Sequence, residues 1–133
     1  DIKLFQTVLI DELIPYIDAN FNTIADQSHR AMAGLSMGGM ETKLITMNNP
    51  GVFSHYGLFS GGIYTPNDFK DKSKVKLIFL SCGSKENPDG VRNADAELKK
   101  AGFNSVNYIS EGTAHEFQTW RRSLYHMAQL LFK

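Results

Sequence analysis

The chain reads RAMAGLSMGGM from Arg30 to Met40, and this stretch decides which fold and chemistry can be expected. It contains the pattern G-x-S-x-G, centred on Ser36. Small and apolar residues precede the pattern, as in a short buried strand, and 40–47 has the composition of a helix that begins at the glycines. In a strand–turn–helix setting the pattern predicts a nucleophile elbow, in which a tight turn holds a serine hydroxyl clear of the sheet.

Ser36 is therefore the predicted nucleophile, and the alternative is a glycine-rich turn with a purely structural role. Two glycines flank the serine at a distance of two residues, Gly34 and Gly38. Both are expected to let neighbouring backbone pass without Cβ collisions. The free N–H groups at the start of the following helix are suited to stabilising a developing oxyanion.

Composition excludes several classes of function. The 133 residues amount to one domain or less, and 14 basic residues balance 14 acidic ones. With zero net charge and no basic stripe, nucleic acids and anionic membranes are not expected as partners. No apolar run is long enough to span a membrane, and no signal-peptide pattern opens the chain. The single cysteine, Cys82, excludes an internal disulfide and is expected to be a buried structural thiol.

Apolar runs with the period of a strand alternate along the chain with runs of helical period. The predicted strands cover 30–36, 53–60, 75–81 and 106–110, and the predicted helices cover 7–21, 40–47, 91–101 and 117–132. Pro15 should start or kink the first helix, 65–76 should be a polar surface excursion, and 87–90 should form a turn. This alternation predicts an α/β fold with a parallel, doubly wound sheet.

A serine hydroxyl needs a histidine base to attack an ester, and His115 is placed to be that base. It lies in the loop between the last predicted strand and the last helix. A parallel sheet gathers such loops on the side where Ser36 emerges. The other histidines are expected to be structural or exposed, with His29 in a loop, His55 at a strand start and His126 on a helix.

The acid that orients the base should follow the preceding strand, in the chain order serine, acid, histidine. The loop after 75–81 carries two carboxylates, Glu86 and Asp89. Glu86 is preferred because it is nearer to the strand end, whereas Asp89 in Pro-Asp-Gly is typical of a turn. A solvated surface carboxylate is the structural alternative for each. The predicted triad is therefore Ser36, His115 and Glu86, with Asp89 as the alternative acid.

Several motifs together resemble the esterase-D-like α/β-hydrolases. They are ELIPYI at 12–17, GLSMGG at 34–39, FSGG at 59–62 and the loop that carries His115. The resemblance covers nearly the whole chain and is closest to carbohydrate esterase family 1, the feruloyl and acetyl-xylan esterases of plant-cell-wall degradation. It implies a three-layer sandwich with a mostly parallel sheet, and a serine carboxylesterase that works through an acyl-enzyme intermediate.

The resemblance also assigns single residues. It implies that the backbone N–H of Met37, the residue after the nucleophile, donates to the oxyanion. The family often has an aspartate where this chain has Glu86, while the related mycolyltransferases have a glutamate. No cofactor is implied, and the sequence has no set of metal ligands at zinc-site spacing. Four aromatic residues are candidates either for an aryl-ester pocket or for core packing, namely Tyr64, Phe69, Phe117 and Trp120.

An intact fold of this family has further strands and a His-Gly-type loop before the first helix, and that loop supplies the second oxyanion donor. We therefore expect 1–133 to be part of an α/β-hydrolase catalytic domain that lacks its N-terminal strands. The 30–36 strand should lie at or near the middle of the intact sheet. Its free edge is expected to be paired by another chain or the missing segment, or to be left exposed.

The resemblance implies that the substrate is a feruloyl or acetyl ester on plant xylan, as a polysaccharide or oligosaccharide. It also implies a protein that is secreted, at the cell surface or periplasmic. One alternative is a thioesterase or acyltransferase of the same superfamily, such as an S-formylglutathione hydrolase or a mycolyltransferase. The other is a catalytically inert fragment that lacks the loop carrying the second oxyanion donor.

Overall fold

Four parallel strands form one sheet in which the spatial order is the same as the chain order. The computed structural model describes all 133 residues. The strands are β1 (Ala31–Leu35), β2 (His55–Phe59), β3 (Leu77–Gly83) and β4 (Ser105–Ser110). In the register of the sheet, Leu35 lies beside Phe59 and Phe59 lies beside Ser81. The carboxyl ends of the strands therefore meet at one edge of the sheet.

Helices connect and flank these strands, as the predicted alternation requires. The N-terminal helical segment consists of α1 (Ile2–Thr7), a π-helical stretch (Val8–Leu13) and α2 (Ile14–Asn20). The later helices are α3 (Met37–Asn48), α4 (Pro88–Lys100) and α5 (Phe117–Ala128). Between β2 and β3 the chain makes short 3₁₀ turns in the predicted surface excursion. None of the helices has the length and apolar character needed to cross a membrane.

The core lies on both faces of the sheet, because side chains of a strand alternate between the faces. Leu58 and Leu80 belong to the larger cluster, which α3 and α4 cover, while Phe59 and Phe79 pack with Met127 of α5. Burying a side chain of this size stabilises the fold by about 1.5–3 kcal/mol. The result is three layers, which confirms the predicted α/β class.

Three helix starts differ from the sequence prediction. Helix α3 begins at Met37, directly after Ser36, instead of at 40. The predicted turn at 87–90 is wrong, because α4 already begins at Pro88, with the Asn87 side chain accepting from the Gly90 N–H at 3.4 Å. Proline is well suited to a first helical position, where its missing N–H is not needed. The first helix also begins earlier than expected, at Ile2, and its π-helical stretch ends just before Pro15.

The last helix is shorter than predicted and ends at Ala128 instead of 132. The chain then turns, and the backbone N–H of Phe132 donates to Nε2 of the buried His55 at 3.2 Å. Phe132 adopts a positive φ of 58°, which no α-helix permits. This tertiary contact ties the end of the chain to the start of β2.

Strand β1 lies at an edge of the sheet and pairs with β2 alone. Apolar residues in this strand and at the start of α3 are exposed to solvent. The exposed fraction is 43% for Leu35, 66% for Met37 and 60% for Met40. The apolar stripe of the first helix was predicted to be buried, but none of its residues is fully buried. Leu9, Ile10 and Ile14 are half-buried and pack against the core. Exposed apolar surface of this kind is typical of a face that packs against more polypeptide.

Candidate active site

Ser36 lies in the tight turn between β1 and α3, with φ 53° and ψ −122°. The backbone of a non-glycine residue is strained at positive φ, and such strain persists only where the surrounding structure holds the residue in place. Here the Ser36 N–H donates to the carbonyl of Phe59 at 2.9 Å, and the Ser36 carbonyl accepts from Gly39 at 3.0 Å. Met37 is the first residue of α3, a position whose N–H has no partner inside the helix.

The glycines around the serine do not act as the pattern alone suggests. A Cβ added at Gly34 would lie 2.0 Å from the carbonyl oxygen of Gly38, so the expectation for Gly34 is right. A Cβ at Gly38 would meet no atom within 4 Å, so the expectation for Gly38 is wrong. The close contact is instead at Gly39, whose added Cβ would lie 2.7 Å from the Cα of Gly61. The start of α3 and the loop after β2 therefore touch through backbone.

Gly39→Ala should lower the free energy of unfolding by about 1–3 kcal/mol, because the methyl group would force backbone apart. Gly38→Ala is the matched control, since it puts the same methyl group into open space one residue earlier. It should leave the free energy unchanged or raise it by up to about 1 kcal/mol, since alanine favours helix more than glycine does. Urea denaturation of both variants measures the difference, and an equal effect at the two positions would contradict it.

His115 and Glu86 complete a chain of hydrogen bonds that starts at Ser36. The Ser36 Oγ lies 2.8 Å from Nε2 of His115, and Nδ1 of His115 lies 2.7 Å from Oε1 of Glu86. A carboxylate only accepts, so Nδ1 carries the proton and Nε2 accepts from the serine hydroxyl. The loop before α5 supplies the histidine, and the loop between β3 and α4 supplies the carboxylate.

Asp89, the alternative acid, is not part of this chain. Its side chain is 86% exposed and lies 3.4 Å from Arg92, within the first turn of α4. The helix begins at Pro88 and carries Asp89 away from His115. Of the two carboxylates that the sequence left open, the structure therefore brings Glu86 to the histidine.

The Glu86 carboxylate has two hydrogen-bond partners in addition to His115. Its Oε2 accepts from the Ser60 hydroxyl and from the Gly83 N–H, each at 2.7 Å. Burial by itself would raise the pKa of Glu86, but the hydrogen bonds from Gly83, Ser60 and His115 outweigh it and hold the pKa below its usual value. The carboxylate is therefore ionised at neutral pH, as a group that orients an imidazole must be.

The two loops that carry His115 and Glu86 are fastened to each other. The Lys85 N–H donates to the carbonyl of Thr113 at 2.9 Å, and the Gly112 N–H donates to Oγ of Ser84 at 2.8 Å. The loops lie so close that a Cβ at Gly83 would be 2.3 Å from the Thr113 carbonyl oxygen. These contacts fix the distance between Glu86 and His115.

Two partners of Glu86, Ser60 and Gly83, were not predicted from the sequence. Ser60 lies in the FSGG motif at 59–62, which the family resemblance singled out without assigning it a role. A serine directly after a buried strand, at the same sheet edge as Ser36, was the available signal. Which carboxylate it would meet depends on the neighbouring strand.

The remaining histidines do not contact Ser36. His29 pairs with Asp26 at 2.7 Å, and His126 stacks on Tyr108 with ring centres 4.1 Å apart. His55 is buried, and burial lowers its pKa. No group of three or more histidine, cysteine, aspartate or glutamate side chains is placed to hold a metal ion. Cys82 is a buried free thiol, as predicted.

The four candidate aromatic residues divide between core and site. Tyr64 is fully buried, and Phe69 packs on it with ring centres 4.9 Å apart. The ring of Trp120 meets that of His115 edge to face at 5.0 Å, and Phe117, two residues after His115, is 71% exposed. Tyr64 and Phe69 therefore serve the core, and the other two lie where a substrate could reach them.

Comparison with known proteins identifies the family. The family model described as "Putative esterase" matches residues 2–131. The chain belongs to this esterase family. A protein of Xylanibacter ruminicola named endo-1,4-beta-xylanase/feruloyl esterase is 61% identical over 129 residues, which are 97% of this chain. The chain spans only 18% of the length of that relative.

Solved structures share the fold of this esterase chain at low sequence identity. A CE1 ferulic acid esterase from Anaeromyces mucronatus superposes with a TM-score of 0.75 at 16% identity, over 96% of this chain and 54% of its own. An S-formylglutathione hydrolase from Staphylococcus aureus superposes with a TM-score of 0.71 at 15% identity, over 100% of this chain and 66% of its own. These likenesses show the α/β-hydrolase fold.

Proposed function

We propose that residues 1–133 are part of the catalytic domain of a serine carboxylesterase that hydrolyses feruloyl or acetyl esters on plant xylan. The observation that carries this proposal is the chain of hydrogen bonds from Ser36 through His115 to Glu86. The three residues come from three different loops at the carboxyl edge of the sheet. Nucleophile, base and acid in this order are the parts that ester hydrolysis requires.

In the first half of the reaction the Ser36 oxygen attacks the ester carbonyl carbon while Nε2 of His115 takes the hydroxyl proton. The carbonyl oxygen becomes an oxyanion beside the N-terminus of α3, where the Met37 N–H donates to it. The bond to the sugar oxygen then breaks. His115 gives its proton to that oxygen, and the acyl group stays on Ser36.

In the second half a water molecule attacks the acyl-enzyme, and His115 takes a proton from the water. The second tetrahedral intermediate collapses with cleavage of the bond to the Ser36 oxygen, which receives the proton from His115. The free acid leaves. Throughout both halves Glu86 stabilises the imidazolium and keeps the proton of the resting imidazole on Nδ1.

Two observations support an ester of an aromatic acid on xylan. The 61% identical relative has a name that joins xylanase and feruloyl esterase. Phe117 lies two residues after His115 and is 71% exposed. An exposed aromatic ring at this place can pack against a planar acyl group. Because polymeric xylan does not enter cells, we place the reaction outside the cytoplasm.

Fluorophosphonate labelling followed by mass spectrometry tests the chemistry, and release of acid from arabinoxylan tests the substrate. Both use this chain or a longer polypeptide that carries it. The label should be on Ser36, and ferulate release should exceed acetate release. If only acetate were released, the proposed serine esterase would stand, and its substrate would be an acetyl ester instead of a feruloyl ester. Failure to label Ser36 in a polypeptide that hydrolyses esters would refute the assignment.

A further inference from the structure

The carboxylate of Glu86 uses its two oxygens for different tasks. Oε1 accepts from His115, while Oε2 accepts from the Ser60 hydroxyl and the Gly83 N–H. The Ser60 oxygen accepts in turn from the indole Nε1–H of Trp120 at 3.0 Å. Since an indole only donates and a carboxylate only accepts, each hydrogen bond has a single possible direction. The single Ser60 proton is therefore directed at Glu86.

We propose that Ser60 and Trp120 are positioning residues, which hold the Glu86 carboxylate through Oε2 so that Oε1 faces His115. This inference rests on the proposed function, because it assigns Glu86 the task of orienting a catalytic base. Ser60 comes from the end of β2, Trp120 from α5 and Glu86 from the loop after β3. The contact therefore joins three elements at the site.

The backbone of Ser60 supports a role for its hydroxyl. Ser60 has φ 52°, a left-handed conformation that costs a non-glycine residue about 1–2 kcal/mol. Its N–H donates to the carbonyl of Ser81 at 2.8 Å, which fixes the turn. Glycine would adopt this conformation without strain, and Gly61 and Gly62 follow directly. A serine here is explained by the hydrogen bond that only its hydroxyl makes.

Trp120 touches both the acid network and the base. Its indole N–H orients the Ser60 hydroxyl, and its ring lies edge to face against the His115 ring at 5.0 Å. The titratable groups around Glu86 are His115 and the Cys82 thiol on β3, whose pKa is raised by burial and by the charge of Glu86. That thiol is neutral at pH 7 and therefore adds no charge beside the hydrogen bonds to Glu86.

Ser60→Ala is the first test, in the chain or in a longer polypeptide that carries it. It should lower kcat/KM about 10- to 100-fold, mainly through kcat, as expected for a hydrogen bond to a charged group. Without this donor the carboxylate holds a proton more tightly, so the pKa of Glu86 should rise in the variant. A ¹³C NMR titration of the Glu86 carboxyl measures this rise. A merely structural role would lower activity without changing the pKa of Glu86.

Two variants guard against a folding artefact. Ser60→Gly removes the same hydroxyl without backbone strain and should give the same rise in the pKa of Glu86. Ser123→Ala removes another buried hydroxyl, which donates to the Thr119 carbonyl on α5, and should change neither the rate nor the pKa of Glu86. If the pKa of Glu86 in Ser60→Gly were that of the parent, the proposal would be wrong.

Trp120→Phe tests the outer half of the network. It removes the indole donor and should lower kcat/KM about 3- to 10-fold, as expected for one neutral hydrogen bond. Because Trp120 acts through Ser60, the double variant Ser60→Ala/Trp120→Phe should match Ser60→Ala alone within about twofold. Additive losses would show that Trp120 acts separately and would overturn its assigned role.

The titration of the Glu86 carboxyl also separates this inference from the proposed function, since it needs no turnover. In Ser60→Ala the carboxyl should take up its proton at higher pH than in the parent. If the parent hydrolyses no ester and this shift is present, the proposed function fails and the positioning role stands. If the parent is an esterase and the pKa of Glu86 is the same in Ser60→Ala, the positioning role is overturned.

Discussion

Ser36→Ala should abolish ester hydrolysis, lowering kcat by about 10⁶-fold, the loss found when a serine hydrolase loses its nucleophile. Without the hydroxyl no acyl-enzyme forms, and His115 has no proton to take at 2.8 Å. The fold should be retained, because alanine has nearly the same backbone preferences at the strained φ of 53°. Initial rates with p-nitrophenyl acetate and methyl ferulate measure the effect, with circular dichroism as the check on folding.

Ser73→Ala is the matched control for this variant. Ser73 is an exposed serine in the loop before β3, and its hydroxyl bonds only to Asp71. The control should keep the full rate with both substrates. Residual activity of more than a few per cent in Ser36→Ala, measured in the chain or a longer polypeptide that carries it, would remove Ser36 from the reaction.

Glu86→Gln should lower kcat by about 10⁴-fold, the loss found when the acid of a serine protease triad becomes an amide. An amide can turn its NH₂ group toward Nδ1 and thereby place the imidazole proton on Nε2, where it blocks proton transfer from Ser36. Asp89→Asn is the matched control, because Asp89 is 86% exposed and pairs only with Arg92. It should keep the parent rate within about twofold. A larger loss in Asp89→Asn than in Glu86→Gln would reverse the assignment.

The same variant should change how stability depends on pH. The pKa of Glu86 is lowered in the folded chain, so its ionised form stabilises the fold above the ordinary glutamate pKa of about 4.3. This contribution is lost as the pH falls through the lower folded value. The difference in free energy of unfolding between parent and Glu86→Gln should therefore be full at pH 7 and shrink below about pH 4. Urea denaturation at several pH values measures it.

Local features of the sequence determined the elements and two members of the proposed triad, Ser36 and His115. The elbow at Ser36 needs only a strand, a turn and a helix within about ten residues, so its signal is contained in 30–40. The run at 75–81 is apolar almost throughout, which only a strand covered on both faces requires, and it became β3. His115 followed from the same logic, since parallel strands bring their loops to one edge.

Contacts between elements decided what the sequence left open. The choice between Glu86 and Asp89 depended on where α4 begins, which the Asn87 cap sets. Ser60 and Glu86 are 26 residues apart in the chain, and they meet because β2 and β3 are neighbours in the sheet.

The same distinction holds for the glycines and for the sheet edge. The pattern G-x-S-x-G names Gly38, yet the close contact is at Gly39, since only the folded chain brings Gly61 against it. The position of β1 at an edge is also a property of the whole sheet, because pairing depends on which strands are present. Periodicity and turn chemistry act over a few residues and can be read along the chain. Register, cap position and backbone contact act across it, so only the tertiary structure decided them.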